Sequence, residues 1–308
     1  MRKWLPTELE EIVCDYCGSK NVAREFMRGD GMRVVECAEC GLAFLNPRPK
    51  AEYIPLFYEK DYFTGVSIEK GLGGLCLERG LEEQNNKSQL MPRSIMLIKE
   101  IFGTLKNLKI LEIGCASGDL LSFIKDEGAF VKGLEISDFA AELARKRGLD
   151  VATGTIESFI IETSEAFDVV IAMEVIEHIQ KPTEFISLVE KLIKPGGVLL
   201  LSTPNYFCTN CYGRKWFGFN ASYEHIYYFS LKVLDKIASK CGLKITYNET
   251  SWFLGGPKES ATFIGRQIEK IIFSWETLKH YSLCDVIKLK PFKYGHTMIV
   301  VMSKNYVL

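Results

Sequence analysis

The feature that most constrains the fold is Ile110-Leu111-Glu112-Ile113-Gly114-Cys115-Ala116-Ser117-Gly118-Asp119, an apolar run broken by an acid and closed by two glycines. It reads as a strand entering a tight turn that opens a helix. A side chain at Gly114 or Gly118 would resist positive φ and keep the backbone from closing over a ligand. From Lys109 to Glu249 strand and helix patterns alternate, which implies a parallel sheet covered on both faces. Strands are expected at Lys109 to Ile113, Phe130 to Glu135, Asp168 to Ala172, Gly197 to Ser202 and Leu243 to Glu249. Helices are expected at Gly118 to Glu127, Ser137 to Arg147, Thr183 to Lys191 and Leu231 to Lys240, with Lys194-Pro195-Gly196-Gly197 ending the helix before the fourth strand. His296 to Ser303 is strongly β-prone and should lie beside Leu243 to Glu249.

Ahead of this core stand two Cys-x-x-Cys-Gly knuckles, Cys14-Asp15-Tyr16-Cys17-Gly18 and Cys37-Ala38-Glu39-Cys40-Gly41. Their spacing is that of two turns presenting Cys14, Cys17, Cys37 and Cys40 tetrahedrally to zinc, and four thiolates close the shell, so the role is structural. Val22 to Phe26 and Met32 to Glu36 read as short strands around Arg28-Gly29-Asp30-Gly31, as in a zinc ribbon. Cys208-Thr209-Asn210-Cys211 has knuckle spacing but no second pair, while Cys76, Cys115, Cys241 and Cys284 carry no pattern; buried or loop thiols are the expectation.

After the knuckles, Asn46-Pro47-Arg48-Pro49 reads as a stiff hinge at a domain boundary. The aromatic segment with Tyr53, Phe57, Tyr58, Tyr62 and Phe63 is expected to pack the ribbon on the main domain rather than to line a pocket, before a stretch at Gly71-Leu72-Gly73-Gly74 and a helix from Ser94 to Phe102. Hydrophobic residues make up 47% of the 308, with a formal net charge of −1, which gives no global pull toward nucleic acid or an anionic membrane. With neither an export signal nor an apolar run of about 20 residues, the reading is cytoplasmic, and the cysteines are reduced thiols.

Ligands in such sheets sit at the carboxyl ends of the strands. Here those ends carry Glu112 with the glycine turn, Glu135 after Val131-Lys132-Gly133-Leu134, the loop Gly154-Thr155-Ile156-Glu157, and Met173-Glu174-Val175-Ile176-Glu177-His178. An acid at Glu135 suits ribose hydroxyls. The ordered set of Glu112, Gly114, Gly118, Glu135, Gly154-Thr155-Ile156, Phe167-Asp168-Val169-Val170, Glu177-His178 and Lys194-Pro195-Gly196-Gly197 resembles class I S-adenosylmethionine-dependent methyltransferases over roughly residues 90 to 250. Nicotinamide dehydrogenases space their glycines differently. The resemblance implies an α/β, doubly wound, mainly parallel seven-stranded Rossmann-like sheet with a small N-terminal zinc ribbon. It implies S-adenosylmethionine as cofactor beside a structural zinc ion. Glu112 with Gly114, Cys115, Ala116 and Gly118 would hold the methionine part, Glu135 the ribose, and Thr155 and Ile156 the adenine, with Ile136 and Met173 in the same cofactor-binding set. Many relatives have aspartate where Thr155 stands.

The whole chain, through Glu224-His225-Ile226-Tyr227-Tyr228-Phe229-Ser230, resembles bacterial and archaeal zinc-ribbon methyltransferases, sugar methyltransferases among them. Relatives that methylate sugar carbon usually carry a further C-terminal domain, for which this chain is short, so methyl transfer to a hydroxyl of a sugar or glycan precursor is the expectation. Such a transfer requires alignment and a proton acceptor. His225 is the leading candidate and His178 its rival, with Tyr206, Phe207, Trp216, Phe217, Phe219 and Tyr223 as a substrate lid. Glu174, Glu177 and His178 have helical i, i+3, i+4 spacing, similar to the acidic segment of quinone-pathway O-methyltransferases, where a divalent cation assists, with Glu224 as a fourth ligand; for Glu174 the favoured reading is instead capping and loop hydrogen bonds. The expected division is a ribbon at 1–46, an aromatic connector and helical cap at 47–105, and the methyltransferase domain at 106–308, with the lid at about 206–230 and a helical insertion at about 255–295. The alternatives are an RNA methyltransferase docking through the ribbon, and a non-catalytic cofactor-binding interaction module. Residues 1–50 hold eight Lys or Arg and eight Asp or Glu, which argues against RNA. Intact Glu112, Glu135 and glycines argue against decay.

Overall fold

The computed structural model describes residues 4–58, 60–63, 92–219, 223–251 and 297–304. The Gly71–Gly74 stretch, Cys76, Cys284 and the insertion expected at about 255–295 lie outside them. Strands are β1 (Leu9–Glu10), β2 (Val22–Met27), β3 (Arg33–Cys37), β4 (Ala43–Leu45), β5 (Arg48–Pro49), β6 (Lys109–Ile113), β7 (Phe130–Glu135), β8 (Val151–Thr153), β9 (Phe167–Met173), β10 (Ile193–Pro204), β11 (Tyr227–Tyr228), β12 (Leu243–Ser251) and β13 (Thr297–Lys304).

Seven of them form one sheet in the order β12-β13-β10-β9-β6-β7-β8. From β10 to β8 every pairing is parallel, while β13 runs antiparallel to both β10 and β12. The central strands are apolar without alternation because both faces are covered: Val169 through Ala172 and Leu199 through Leu201 are all fully buried. Helices Asp119–Asp126 and Asp138–Lys146 follow β6 and β7. Ser137 caps the second of these by accepting the Ala140 amide at 3.5 Å.

Two elements differ from the sequence expectation. Gly154-Thr155-Ile156-Glu157 is no open loop: it joins β8 to a helix at Ile156–Glu162, and Thr155 and Ser158 close the helix start. The sequence signal for β8 is weak because the strand has 3 residues. Lys194-Pro195-Gly196-Gly197 does not end the preceding helix, which stops at Leu192. It forms an irregularity inside β10, between the pairings Ile193↔Phe167 and Val198↔Val169. A Cβ on Gly197 would lie 2.8 Å from the Asp168 carbonyl, so this crossing of chains requires glycine.

The cysteine module is a sheet in the order β11-β4-β3-β2, and its strand β11 comes from the far side of the chain. The boundary expected at residue 46 is therefore interleaved. The prolines of Asn46–Pro49 do not make a free hinge either: β5 pairs with β1, and Arg48 Nη1 donates to the Gln180 carbonyl at 2.6 Å and the Tyr227 hydroxyl at 3.0 Å.

The aromatic groups have exchanged their expected places. Trp216 and Phe219, expected in a lid, are fully buried. They form a cluster with Tyr206, Tyr228 and Phe26 of the ribbon, with ring centroids 5.0 Å apart for Trp216–Phe219 and 5.2 Å for Phe26–Phe219. Tyr206 also donates to Glu36 on β3 at 2.8 Å. This segment glues the ribbon to the sheet domain, the role expected of the Tyr53–Phe63 segment. Of the latter, Tyr53 does pack near the ribbon, on Trp4, but Tyr58 reaches His178 with centroids 6.0 Å apart.

Candidate active site

The carboxyl ends of β6, β7 and β9 converge. At the first, Gly114 has φ +74 and a Cβ there would lie 2.6 Å from Val175 Cγ2; Gly118 has φ +77, and its Cβ would lie 2.3 Å from Leu149 Cδ1. Both positions require glycine on conformation and on space. Ala116 between them also has positive φ. Its amide donates to Glu135 Oε2 at 2.8 Å, while Ser137 N donates to Oε1 at 2.9 Å. Glu135 thus braces the turn from the next strand. Glu112 is buried with Oε2 lacking any partner, and burial together with the nearby Glu135 pushes its carboxyl well above the ordinary range. Two buried acids beside this turn, Glu112 with an unpartnered oxygen, form a cradle for cationic and hydroxyl groups, so the amino group and ribose of S-adenosylmethionine fit it.

The remaining residues expected around the cofactor divide. Cys115 is buried and packs with Leu121, Ala141 and Ala144. Ile156 is buried in the main core, so its side chain does not offer a face to adenine. Ile136, directly after Glu135, is 39% exposed and is the apolar side chain available there. Thr155 is exposed at its helix start, and Met173 is half-buried at the end of β9.

Glu177, His178 and His225 meet next to this cradle. His178 and His225 rings lie 4.7 Å apart at 75°, and His225 Nε2 stands 3.9 Å from Glu177 Oε1. Each of the three has a ligand atom within 4.8 Å of the others, a spacing that fits a cation. Both Glu177 oxygens and the Nδ1 atoms of both histidines are buried without a hydrogen-bond partner. Such groups call for something between them, a cation, water or a polar acceptor. Glu174 does not join: its backbone has φ +53 and Ser202 Oγ donates to its carboxylate at 2.7 Å. The helical spacing fails because the segment is a single 3-10 turn at Ile176–His178. Burial, with the adjacent Glu174 charge, pushes Glu177 well above the carboxylate range. Burial lowers His178 to about 4 and takes His225 well below its ordinary value, helped in the latter by His178 and Arg28. Both imidazoles are neutral at pH 7.

Tyr58 and Tyr62 join the halves. The hydroxyls of both lie in the field of Glu135 on the cradle side and of Glu177 and Glu224 on the other, and Tyr62 bonds the Glu224 carboxylate. Sequence reasoning missed these tyrosines, since nothing local links residues 58 and 62 to residue 224.

In the ribbon, Cys14 Sγ and Cys40 Sγ are 3.4 Å apart, and Cys17 Sγ and Cys37 Sγ 3.5 Å. These are far from the about 2.05 Å of a disulfide and near the about 3.8 Å edge of a zinc–sulfur tetrahedron with 2.3 Å bonds. Gly18 N and Gly41 N fold back to the Cys14 and Cys37 carbonyls, and Leu42 N donates to Cys40 Sγ at 3.5 Å. The donor set fits a closed metal site. Cys208 contributes to no such cluster among the described residues.

A family model described as a methyltransferase domain matches residues 85–248, more than half of the chain. The chain belongs to the methyltransferase-domain family. The sheet described above is seven-stranded and mainly parallel, as the sequence led one to expect. Among curated relatives, the ubiquinone biosynthesis O-methyltransferase of Vibrio atlanticus (strain LGP32) is 35% identical over 123 residues, covering 38% of this chain and 52% of that protein. Its counterpart in Leptothrix cholodnii is 30% identical over 124 residues, covering 38% and 53%. The chain spans about half the length of the curated relatives it matches. Solved structures resemble it distantly: a SAM dependent methyltransferase from Archaeoglobus fulgidus has a TM-score of 0.48 at 16% identity, covering 69% of this chain and 93% of that one. Among the described residues no helix is long and apolar enough to cross a membrane.

Proposed function

We propose that the chain transfers the methyl group of S-adenosylmethionine to a hydroxyl of a small polar acceptor, with a sugar or glycan precursor as the preferred class. The observation that carries the reading is the juxtaposition of the unpartnered Glu112 carboxyl and the Glu135-braced turn with neutral His225 and His178. S-adenosylmethionine, when bound, supplies an electrophilic methyl group. Glu112 would hold its amino group, the turn from Gly114 to Gly118 its carboxylate, Glu135 its ribose hydroxyls, and Ile136 the adenine face. His225 takes the proton as the acceptor oxygen forms its bond to carbon, with Glu177 Oε1 3.9 Å from its Nε2. His178 or the Tyr58 and Tyr62 hydroxyls orient the acceptor. The four ribbon cysteines hold structural zinc.

A second reading is supported by the spacing of Glu177, His178 and His225: a divalent cation held there would polarise a phenolic or sugar hydroxyl. One screen separates them. Labelled S-adenosylmethionine is presented with nucleotide sugars, glycans and the catechol 3,4-dihydroxybenzoate, with and without EDTA and added Mg²⁺. Turnover of a sugar that survives EDTA supports the first reading; turnover that needs added cation supports the second. Labelling of the catechol alone would overturn the preferred acceptor class.

A further inference from the structure

Arg28 sits at the end of β2 in the ribbon, 4% exposed. A guanidinium has five N–H donors, and here each has an acceptor. Nε and Nη2 grip the Asp30 carboxylate, Nη1 donates to the His225 carbonyl at 2.7 Å and the Tyr228 hydroxyl at 2.9 Å, and Nη2 donates to the Tyr223 carbonyl at 2.9 Å. No donor remains for an anionic ligand, so Arg28 is not a binding residue for one.

We propose that Arg28 is a positioning residue through which the cysteine module fixes the His225 ring over the site. The inference rests on the reading of His225 as proton acceptor. The residue after His225 is already tied, since Ile226 N donates to the Glu177 carbonyl at 2.9 Å and Leu45 N to the Ile226 carbonyl at 2.9 Å. Those bonds set the depth of the segment. The carbonyls of Tyr223 and His225 itself are turned toward the ribbon by Arg28, and this turns the His225 side chain the opposite way, toward His178 and Glu177. Asp30 holds the guanidinium in plane for the task and also accepts the Met32 amide at 3.1 Å, so the hairpin turn and the clamp share one carboxylate. Lysine, with a single ammonium, cannot reproduce a planar fork that reaches two carbonyls, a hydroxyl and a carboxylate.

The test uses the full chain labelled with ¹³C in its four histidine rings, the His225 signal being assigned with His225→Gln. In Arg28→Lys the His225 ring signal moves by more than its line width and broadens, while calorimetric affinity for S-adenosylhomocysteine stays within about twofold because the cradle is untouched. In Arg28→Ala, millimolar guanidinium restores the wild-type signal and equal urea does not. A folded Arg28→Lys chain with the His225 signal at its wild-type position overturns the proposal, since a residue acting only on stability leaves the ring where it was. Should both Arg28 variants fail to fold, Asp30→Asn is judged by the same signal, with displacement supporting and an unmoved signal overturning. Absence of S-adenosylhomocysteine binding to the wild-type chain sinks the parent reading and leaves the ring signal free to judge the positioning.

Discussion

The Ala116 amide donates to Glu135 Oε2 at 2.8 Å, so the acid at the end of one strand holds the turn at the end of its neighbour. Ala116 has positive φ without being glycine, and that conformation persists because surrounding bonds fix it. Glu135→Gln replaces one of two accepting oxygens by a donor. Affinity for S-adenosylhomocysteine should fall about 10-fold to 100-fold, the worth of one hydrogen bond to a charged group, as read by calorimetry. Unchanged affinity would remove Glu135 from the cofactor site.

Gly114→Ala combines an unfavourable φ of +74 with a Cβ 2.6 Å from Val175 Cγ2. A loss of roughly 1–3 kcal/mol in chemical denaturation is expected, together with loss of cofactor binding. A stable variant that binds normally would show that the turn does not approach a ligand.

The pH profile follows from the direction of the His225 shift. Burial favours the neutral ring, so the pKa lies well below 6.5 and the base stays competent as the pH drops through that value. Turnover measured under saturating conditions should be flat from pH 8 to below 6.5, with its acid limb lower still. A limb at or above 6.5 contradicts this assignment. His225→Ala should cost about 10²- to 10⁴-fold in kcat, whereas full turnover would remove His225 from the role of base.

Trp216 is fully buried beside Phe219, which in turn touches Phe26 of the ribbon. Zinc bound by four thiolates contributes on the order of 10 kcal/mol to small modules of this kind. Chelation should therefore loosen the ribbon and expose Trp216, giving a red-shifted tryptophan emission and one equivalent of released zinc. Emission and fold unchanged after chelation with all four knuckle cysteines replaced would contradict a structural metal.

Much of the sheet was legible because its strands are continuous apolar runs and its turns need glycine. The Lys109–Ile113 and Phe130–Glu135 strands and the Leu231–Lys240 helix match expectation to the residue. Cysteine spacing likewise carried the four-thiol cluster. What was not legible depends on contacts distant in sequence. Nothing near Tyr227 announces that it pairs with Phe44, nothing near Arg28 announces His225, and aromatic residues alone cannot say whether Trp216 meets solvent or the ribbon. Glu174 takes the loop hydrogen bond expected of it, from Ser202, while the helical spacing fails because the chain makes one short turn there with Glu174 at positive φ.

The proposed function depends first on the Glu112, Glu135 and Gly114–Gly118 cradle seating a methyl donor. Isothermal titration of the purified chain with S-adenosylhomocysteine tests it most directly. Saturable binding of one ligand per chain is expected, abolished by Gly114→Ala and weakened by Glu135→Gln. No binding heat with the folded, zinc-loaded wild-type chain would contradict it.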